Sequence, residues 1–278
     1  MTGQEWTGAV AGLVTRDYDD DFRLVKLWIE GVESVDYCYD GDGLITSAGN
    51  MTIERDDDNG LVTATSLSGA TTASTYNAFG EPLSCTADFN DTPFFEQSFD
   101  RDALGRIVKK TETLQGSTTV YEYFYDQAGR LHEVDRDGLT ISIYDYDQNS
   151  NRVSYTDENG AQTTGSYDDQ DRLLSYGDAT YAYTPNGELA TKTENGQTTT
   201  YTYDVLGNLT DVSLPTGTEI HYIIDGRNRR IGKELNGVLV QGFLYQDQLN
   251  PVAELDANGQ LVSRFIYASK PNVPDYMQ

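Results

Sequence analysis

One phrase recurs along this chain and limits what it can fold into: an aromatic, then Asp, a short turn with Gly or Asn, then Arg or Asn, then an aliphatic. It reads Phe99-Asp100 to Gly105-Arg106-Ile107, then Tyr125-Asp126-Gln127-Ala128-Gly129-Arg130-Leu131. It continues as Tyr146-Asp147 to Asn151-Arg152-Val153 and Tyr167-Asp168 to Asp171-Arg172-Leu173. Tyr183-Thr184 to Gly187-Glu188-Leu189 is a worn copy, and Tyr203-Asp204 to Gly207-Asn208-Leu209 a clear one. Ile224-Asp225-Gly226 to Arg230-Ile231 and Tyr245-Gln246-Asp247 follow. From 99 onward the first positions lie 26, 21, 21, 16, 20, 21 and 21 residues apart. A period near twenty predicts a stacked repeat rather than one enclosed domain.

Each unit reads as strands joined by a tight turn. Tyr201 and Tyr203 share one face while Thr200 and Thr202 share the other, and Tyr121, Tyr123 and Tyr125 likewise fall together. Tyr, Thr, Val and Ile predominate, as strands prefer. Asn-Gly at 59–60, 159–160, 186–187, 195–196, 236–237 and 258–259, with Asp-Gly at 42–43, 137–138 and 225–226, predicts hairpin turns at positive φ. No stretch carries a capped 3.6-residue apolar stripe. The fold class is all-β, an array of antiparallel hairpins.

The repeated residues have a structural reading. Tyr places its ring inward and its hydroxyl on a polar partner. Asp hydrogen-bonds its own turn, and Gly supplies a conformation closed to other residues. The residues marked for this role are Tyr125, Asp126, Gly129, Arg130, Tyr146, Asp147, Tyr167, Asp168, Tyr203, Asp204 and Gly207. Residues 1–98 are a degenerate part of the same array and 99–278 its regular part. Tyr37 to Ile45 and Tyr76 to Leu83 are divergent copies, and Phe22–Ile29 reads as one strand apolar on both faces.

Composition closes several routes. The formal net charge of −26, from 45 Asp+Glu against 19 Lys+Arg, argues against a phosphate-binding surface or an anionic membrane. No apolar run reaches the ~20 residues of a membrane span. Met1 to Trp6 lacks the basic and apolar regions of a leader, so an export signal is expected elsewhere. Cys38 and Cys85 are too few for a disulfide framework, and with His132 and His221 the only histidines a zinc site lacks ligands. The 20 Tyr, 9 Phe and 2 Trp are too many for a disordered chain and must hold the fold together.

The sequence offers little to chemistry. Only His132 and His221 can serve as a hydrolase base, no Gly-x-Ser-x-Gly elbow is present, and His221 sits in an alternating strand. The runs Asp17 to Asp21 and Asp56-Asp57-Asp58-Asn59-Gly60 invite a calcium reading, with Asp56, Asp57 and Asp58 as candidates. Neither fits the EF-hand loop, and solvated acidic turns explain them better. No enzyme activity and no cofactor are expected.

These Tyr-Asp…Gly-Arg/Asn-Leu units resemble the YD repeats of Rhs-type bacterial proteins, found also in the teneurin shell and the cocoon of ABC toxins. The stretch Asp225 to Lys233, then Gly242 to Tyr245, Leu249 to Asp256 and Arg264 to Met277, resembles the approach to the Rhs-associated core. The resemblance implies a β-strip spiralling into a hollow shell, which in toxins encloses a C-terminal cytotoxic segment. The chain reaches Gln278 without the core's aspartyl self-cleavage phrase, so it is expected to form part of a shell without autoprotease or toxin. The implied partners are the rest of its own polypeptide or an enclosed cargo, with self-association through open strand edges. Nucleic acid is not an expected partner. The implied location is secreted or cell-surface. The alternative function is an extracellular module gripping glycans or another protein, or a self-assembling array. A contiguous exposed aromatic patch would favour that alternative, and tyrosines buried in the sheet would favour the shell.

Overall fold

The computed structural model describes residues 2–30 and 34–278. Met1, where the stretch read above for a leader begins, lies outside the described residues. Among the described residues there are 27 strands and no helix, hence none long and apolar enough to cross a membrane. Within each of the chain's two units the registers are antiparallel and consecutive strands pair, as Ser117–Tyr125 with Leu131–Arg136, Leu139–Tyr146 with Arg152–Asp157, and Gln197–Tyr203 with Leu209–Ser213. The chain forms two compact units, residues 54–181 and residues 2–53 with 182–278.

Two kinds of turn alternate. Along one rim run tight two-residue turns with both residues at positive φ, as at Gln115-Gly116, Asp137-Gly138, Asn195-Gly196 and Asn236-Gly237. Along the other run five-residue turns. In these the first residue donates its N–H to the fifth residue's carbonyl, and the fourth donates back to the first. For Asp126 the two distances are 2.9 and 3.0 Å. Asn-Gly and Asp-Gly pairs therefore divide. Those at 59–60, 159–160, 186–187, 258–259 and 42–43 put only Gly at positive φ, and at 225–226 neither residue adopts it, because Asn228 does instead.

The units differ in how they bury apolar surface. In residues 54–181 the buried apolar side chains are Val134 and Ala179 alone among those described. This unit is a single sheet layer without an enclosed core. The other unit has one. Val10, Val14, Leu27, Leu244, Val252 and Leu255 are each at most 2% exposed. The segment about Val10 and Gly12 lies on the hairpins near residue 244. A Cβ on Gly12 would come within 2.6 Å of Leu244, and one on Gly232 within 2.8 Å of Val10. Those glycines let a second layer approach closely. Its fully buried side chains are aliphatic, with Trp6, Tyr37 and Tyr267 buried beside them at 6 to 9% exposure.

The strand expected over Phe22–Ile29 is shorter, Leu24–Ile29, with Leu27 and Ile29 buried. Phe22 is instead the left-handed residue of the preceding turn, at φ 62° and 87% exposed.

Leu244 and Phe124 each precede the motif aromatic of their own repeat, yet Leu244 is fully buried and Phe124 is 46% exposed. Leu244→Ala is expected to cost about 2–5 kcal/mol in urea unfolding, and Phe124→Ala much less.

Candidate functional site

The repeat begins where a strand meets its turn. At each such position the ladder slips by one residue: between Phe124 and Tyr125, Asp145 and Tyr146, Ser166 and Tyr167, Thr202 and Tyr203. These bulges mark the aromatic's place independently of what occupies it. By that criterion Arg101, not Phe99, heads the first regular copy, since the slip lies between Asp100 and Arg101. Its turn runs from Asp102 to Arg106. The same slip occurs before Tyr18, Tyr39 and Tyr76, in the stretch whose sequence looks worn.

The tyrosine hydroxyls share one target. Tyr125 donates to the carbonyl of Ile107 at 2.7 Å, Tyr146 to Leu131 at 2.7 Å and Tyr167 to Arg152 at 3.0 Å. Tyr39, Tyr76, Tyr245 and Tyr267 reach Leu24, Val62, Arg230 and Pro251 in the same way. Each acceptor is the first residue of a strand in the preceding repeat. Where Arg101 replaces Tyr, its Nη2 donates to Pro82, also a strand's first residue, at 3.2 Å. Position, rather than ring chemistry, is what the repeat preserves there.

The aspartate closes the turn. Asp126 Oδ1 accepts from the backbone N–H of Arg130 at 2.9 Å, and its Oδ2 accepts from Arg130 Nε at 2.7 Å. Asp168 holds Arg172 identically, and Asp147 and Asp204 hold Asn151 and Asn208. Gly129 and Gly207 take the left-handed position at φ 81° and 82°. The arginine then reaches onward: Arg130 donates to the carbonyl of Asp147 in the next turn at 2.8 Å. Its guanidinium also lies 4.7 Å from the Tyr146 ring centre, a cation–π distance. Turn, tyrosine and neighbouring turn thus interlock. At Tyr245-Gln246-Asp247 the pattern shifts by one: Gln246 pairs with Asn250 through the backbone while Asp247 Oδ1 accepts from Leu249 and Asn250.

These bonds tune the carboxyls. The backbone N–H of Arg130 holds Asp126 below the usual carboxylate range, as that of Arg172 does Asp168. The side chains of Asn151 and Asn208 do the same for Asp147 and Asp204. Burial raises Asp225, but the opposing bonds from Arg229 outweigh it and its pKa is lowered. That pair is the deepest, with side chains 2% and 11% exposed at 2.6 Å.

The other candidates stand apart. Asp56 Oδ1 accepts from the N–H groups of Asp58 and Asn59, an ordinary acidic turn, and Asp57 takes no part in those bonds. Among the described residues no group of three or more His, Cys, Asp or Glu is placed to hold a metal ion. His221 Nδ1 lies 2.8 Å from Asp211 on the neighbouring strand, and His132 Nδ1 2.8 Å from the Tyr144 carbonyl. Cys38 and Cys85 are free thiols. The rings of the 20 tyrosines are half-buried or buried apart from Tyr18. Sequence reasoning missed Arg101, because a search for an aromatic before Asp passes over it.

A repeated hairpin whose side chains are consumed in joining one copy to the next defines a YD-type β-array. The comparisons agree over nearly the whole length. Residues 2–278 match the family model described as the teneurin YD-shell, and the chain belongs to that family. Teneurin-4 of Mus musculus is 26% identical over 253 residues, covering 88% of this chain and 9% of that protein. The tRNA3(Ser)-specific nuclease WapA of Bacillus spizizenii is 29% identical over 156 residues, 53% of this chain and 6% of its own. The chain thus spans less than a tenth of these relatives. Among solved structures, TcdB2-TccC3 without its hypervariable C-terminal region superposes with a TM-score of 0.56 at 13% identity. That match covers 94% of this chain and 16% of the other, and shows a shared fold.

Two outcomes are expected. Because the turn carboxyls have lowered pKa values, the folded state binds fewer protons than the unfolded chain near the ordinary carboxyl value. Their stabilisation is complete above about pH 4 and lost as pH falls through the lowered values. Urea midpoints should therefore be flat near neutrality and fall below about pH 4, with Asp126→Asn lowering the neutral midpoint and flattening the acid limb. Phe22→Gly, at the one turn that puts a phenylalanine in the left-handed region, should stabilise by about 1 kcal/mol.

Proposed function

We propose that this chain is a non-enzymatic length of β-shell wall whose role in the parent protein is to enclose a payload carried further along the same polypeptide. The observation that carries this is the fate of the repeat side chains. Tyrosine hydroxyls, turn carboxylates and arginines bond to the array's own backbone and to neighbouring turns, which leaves them to structure rather than recognition. The half-buried tyrosines favour a wall over an adhesive face, for which a contiguous exposed aromatic patch would be needed. Membership of a shell family, a nuclease among its relatives and the fold shared with TcdB2-TccC3 support the same reading. Such a wall would act in a secreted or cell-surface protein. Its partners would be the rest of its polypeptide, with open strand edges as a route to self-association.

The complete parent protein tests this by limited proteolysis. The segment following Gln278 should resist protease in the intact protein and become sensitive when Leu244→Asp disrupts the wall. A following segment digested equally fast in both proteins overturns the reading.

A further inference from the structure

The sheet of residues 54–181 has two faces with opposite chemistry. Direct cross-strand partners share a face, so the registers sort the side chains. Tyr121, Tyr123 and Tyr125 lie with Arg136, Val134 and Leu131 on one side. This tyrosine face also carries Lys110, directly opposite Tyr121, and the guanidinium groups of Arg106, Arg130 and Arg152 over tyrosine rings. Its acids are Glu112, ion-paired to Lys110 at 2.8 Å, and Asp157.

The reverse face is acidic. Glu96, Asp100, Glu122, Glu133, Asp135 and Asp145 alternate with the tyrosine-face residues along four strands, and Lys109 is the strand cation among them. Glu122 stands between Asp135 on one neighbouring strand and Lys109 on the other, so one lysine is set against two adjoining carboxylates. Asp135 Oδ1 is buried and accepts no hydrogen bond from the described residues. Thr140 reaches Glu133, and Ser154 reaches Asp145, so these carboxylates are held in place rather than free to swing away.

In the other unit the corresponding face is covered. Gly242 and Leu244 are the counterparts of Glu122 and Phe124, and upon them lies the chain's own segment at Val10 and Gly12. The array therefore has a way of using this face as a seat for a further layer. Where the seat is apolar, an apolar segment fills it. In residues 54–181 the same face is anionic, half-exposed and dotted with apolar side chains such as Val120, Phe124 and Ile143.

We propose that this acidic face is a docking surface for a basic polypeptide segment rich in Lys and Arg, with scattered apolar residues to meet Phe124 and Ile143. Charge complementarity fixes the sign of the partner: six strand carboxylates share this face with Lys109 as the one strand lysine or arginine among them. The proposal deepens the shell reading by naming the chemistry of what lies against the wall, and it rests on that reading for its biological setting.

The test uses the full chain and a fluorescent 20-residue peptide of alternating Arg, Ser and Leu, followed by anisotropy at low and physiological salt. The triple variant Glu122→Gln, Glu133→Gln, Asp135→Asn changes the face. The triple variant Asp20→Asn, Asp57→Asn, Asp169→Asn removes the same charge from exposed turns, and thermal melts check that both fold. The face variant should weaken binding about tenfold and the turn variant less than about twofold. Equal weakening by both would mean diffuse attraction to net charge and overturn the proposal, as would no binding by the parent chain. A dimer in sedimentation that the face variant abolishes would assign the face to a second copy and also overturn it. None of these results bears on protease protection in the parent protein, so the wall reading stands or falls separately.

Discussion

A single hydrogen bond sets the terms for this molecule: a tyrosine hydroxyl at a turn donating to the first carbonyl of a strand in the repeat before it. A strand's first carbonyl lies next to a turn, where the regular ladder is interrupted by a bulge. Satisfying it with a side chain from the next repeat joins successive units where the ladder is weakest. The bond is worth about 1 kcal/mol in net terms, but it recurs. Tyr39, Tyr76, Tyr125, Tyr146, Tyr167, Tyr245 and Tyr267 all make it. The ring must lie flat across the sheet to do so, which half-buries it and provides the surface over which the arginines stack.

That arrangement explains how residues 54–181 form an ordered sheet with so few buried apolar side chains. Stability there is spread along the strip in nearest-neighbour terms: turn to turn through Arg130, strand to strand through Thr65 with Thr72 and Thr113 with Thr118 at 2.7 and 2.9 Å, ring to ring through Tyr144 and Tyr155. No single site commands the unit. The other unit concentrates its stability in a largely aliphatic core, joined by Trp6, Tyr37 and Tyr267, where a lost methyl group leaves a void.

Much of this was legible in the sequence, for a physical reason. A five-residue turn needs an acceptor at its first position and a left-handed residue at its fourth, and few residue types meet either demand. Asp126 with Gly129 and Asp204 with Gly207 were therefore readable on sight. Legibility failed where another residue met the same demand by a different route. Arg101 supplies a donor without a ring, Phe22 occupies the left-handed position without being glycine, and Asp225 opens a turn whose left-handed residue is Asn228 rather than Gly226. The core was illegible for another reason. Val10, Gly12 and Leu244 carry no local pattern that announces their contact, since the pairing lies in tertiary structure alone.

The contacts of Arg16 with the carbonyls of Tyr245 and Gln246, and of Tyr276 with Ala48, join residues nearly the whole chain apart. During synthesis the hairpins of residues 54–181 can close as they emerge, each needing only its neighbour. The first strands pair with one another at once, but the hairpins that cover Val10 and Gly12, about Gly232 and Leu244, are made only after residues 54–181. Among the described residues, the aliphatic cluster of the other unit thus closes after the hairpins of residues 54–181, and its apolar segment at Val10 and Val14 waits longer for cover than they do. Slow translation near residue 245 would prolong that interval and, with it, the dependence of the Val10 segment on chaperones.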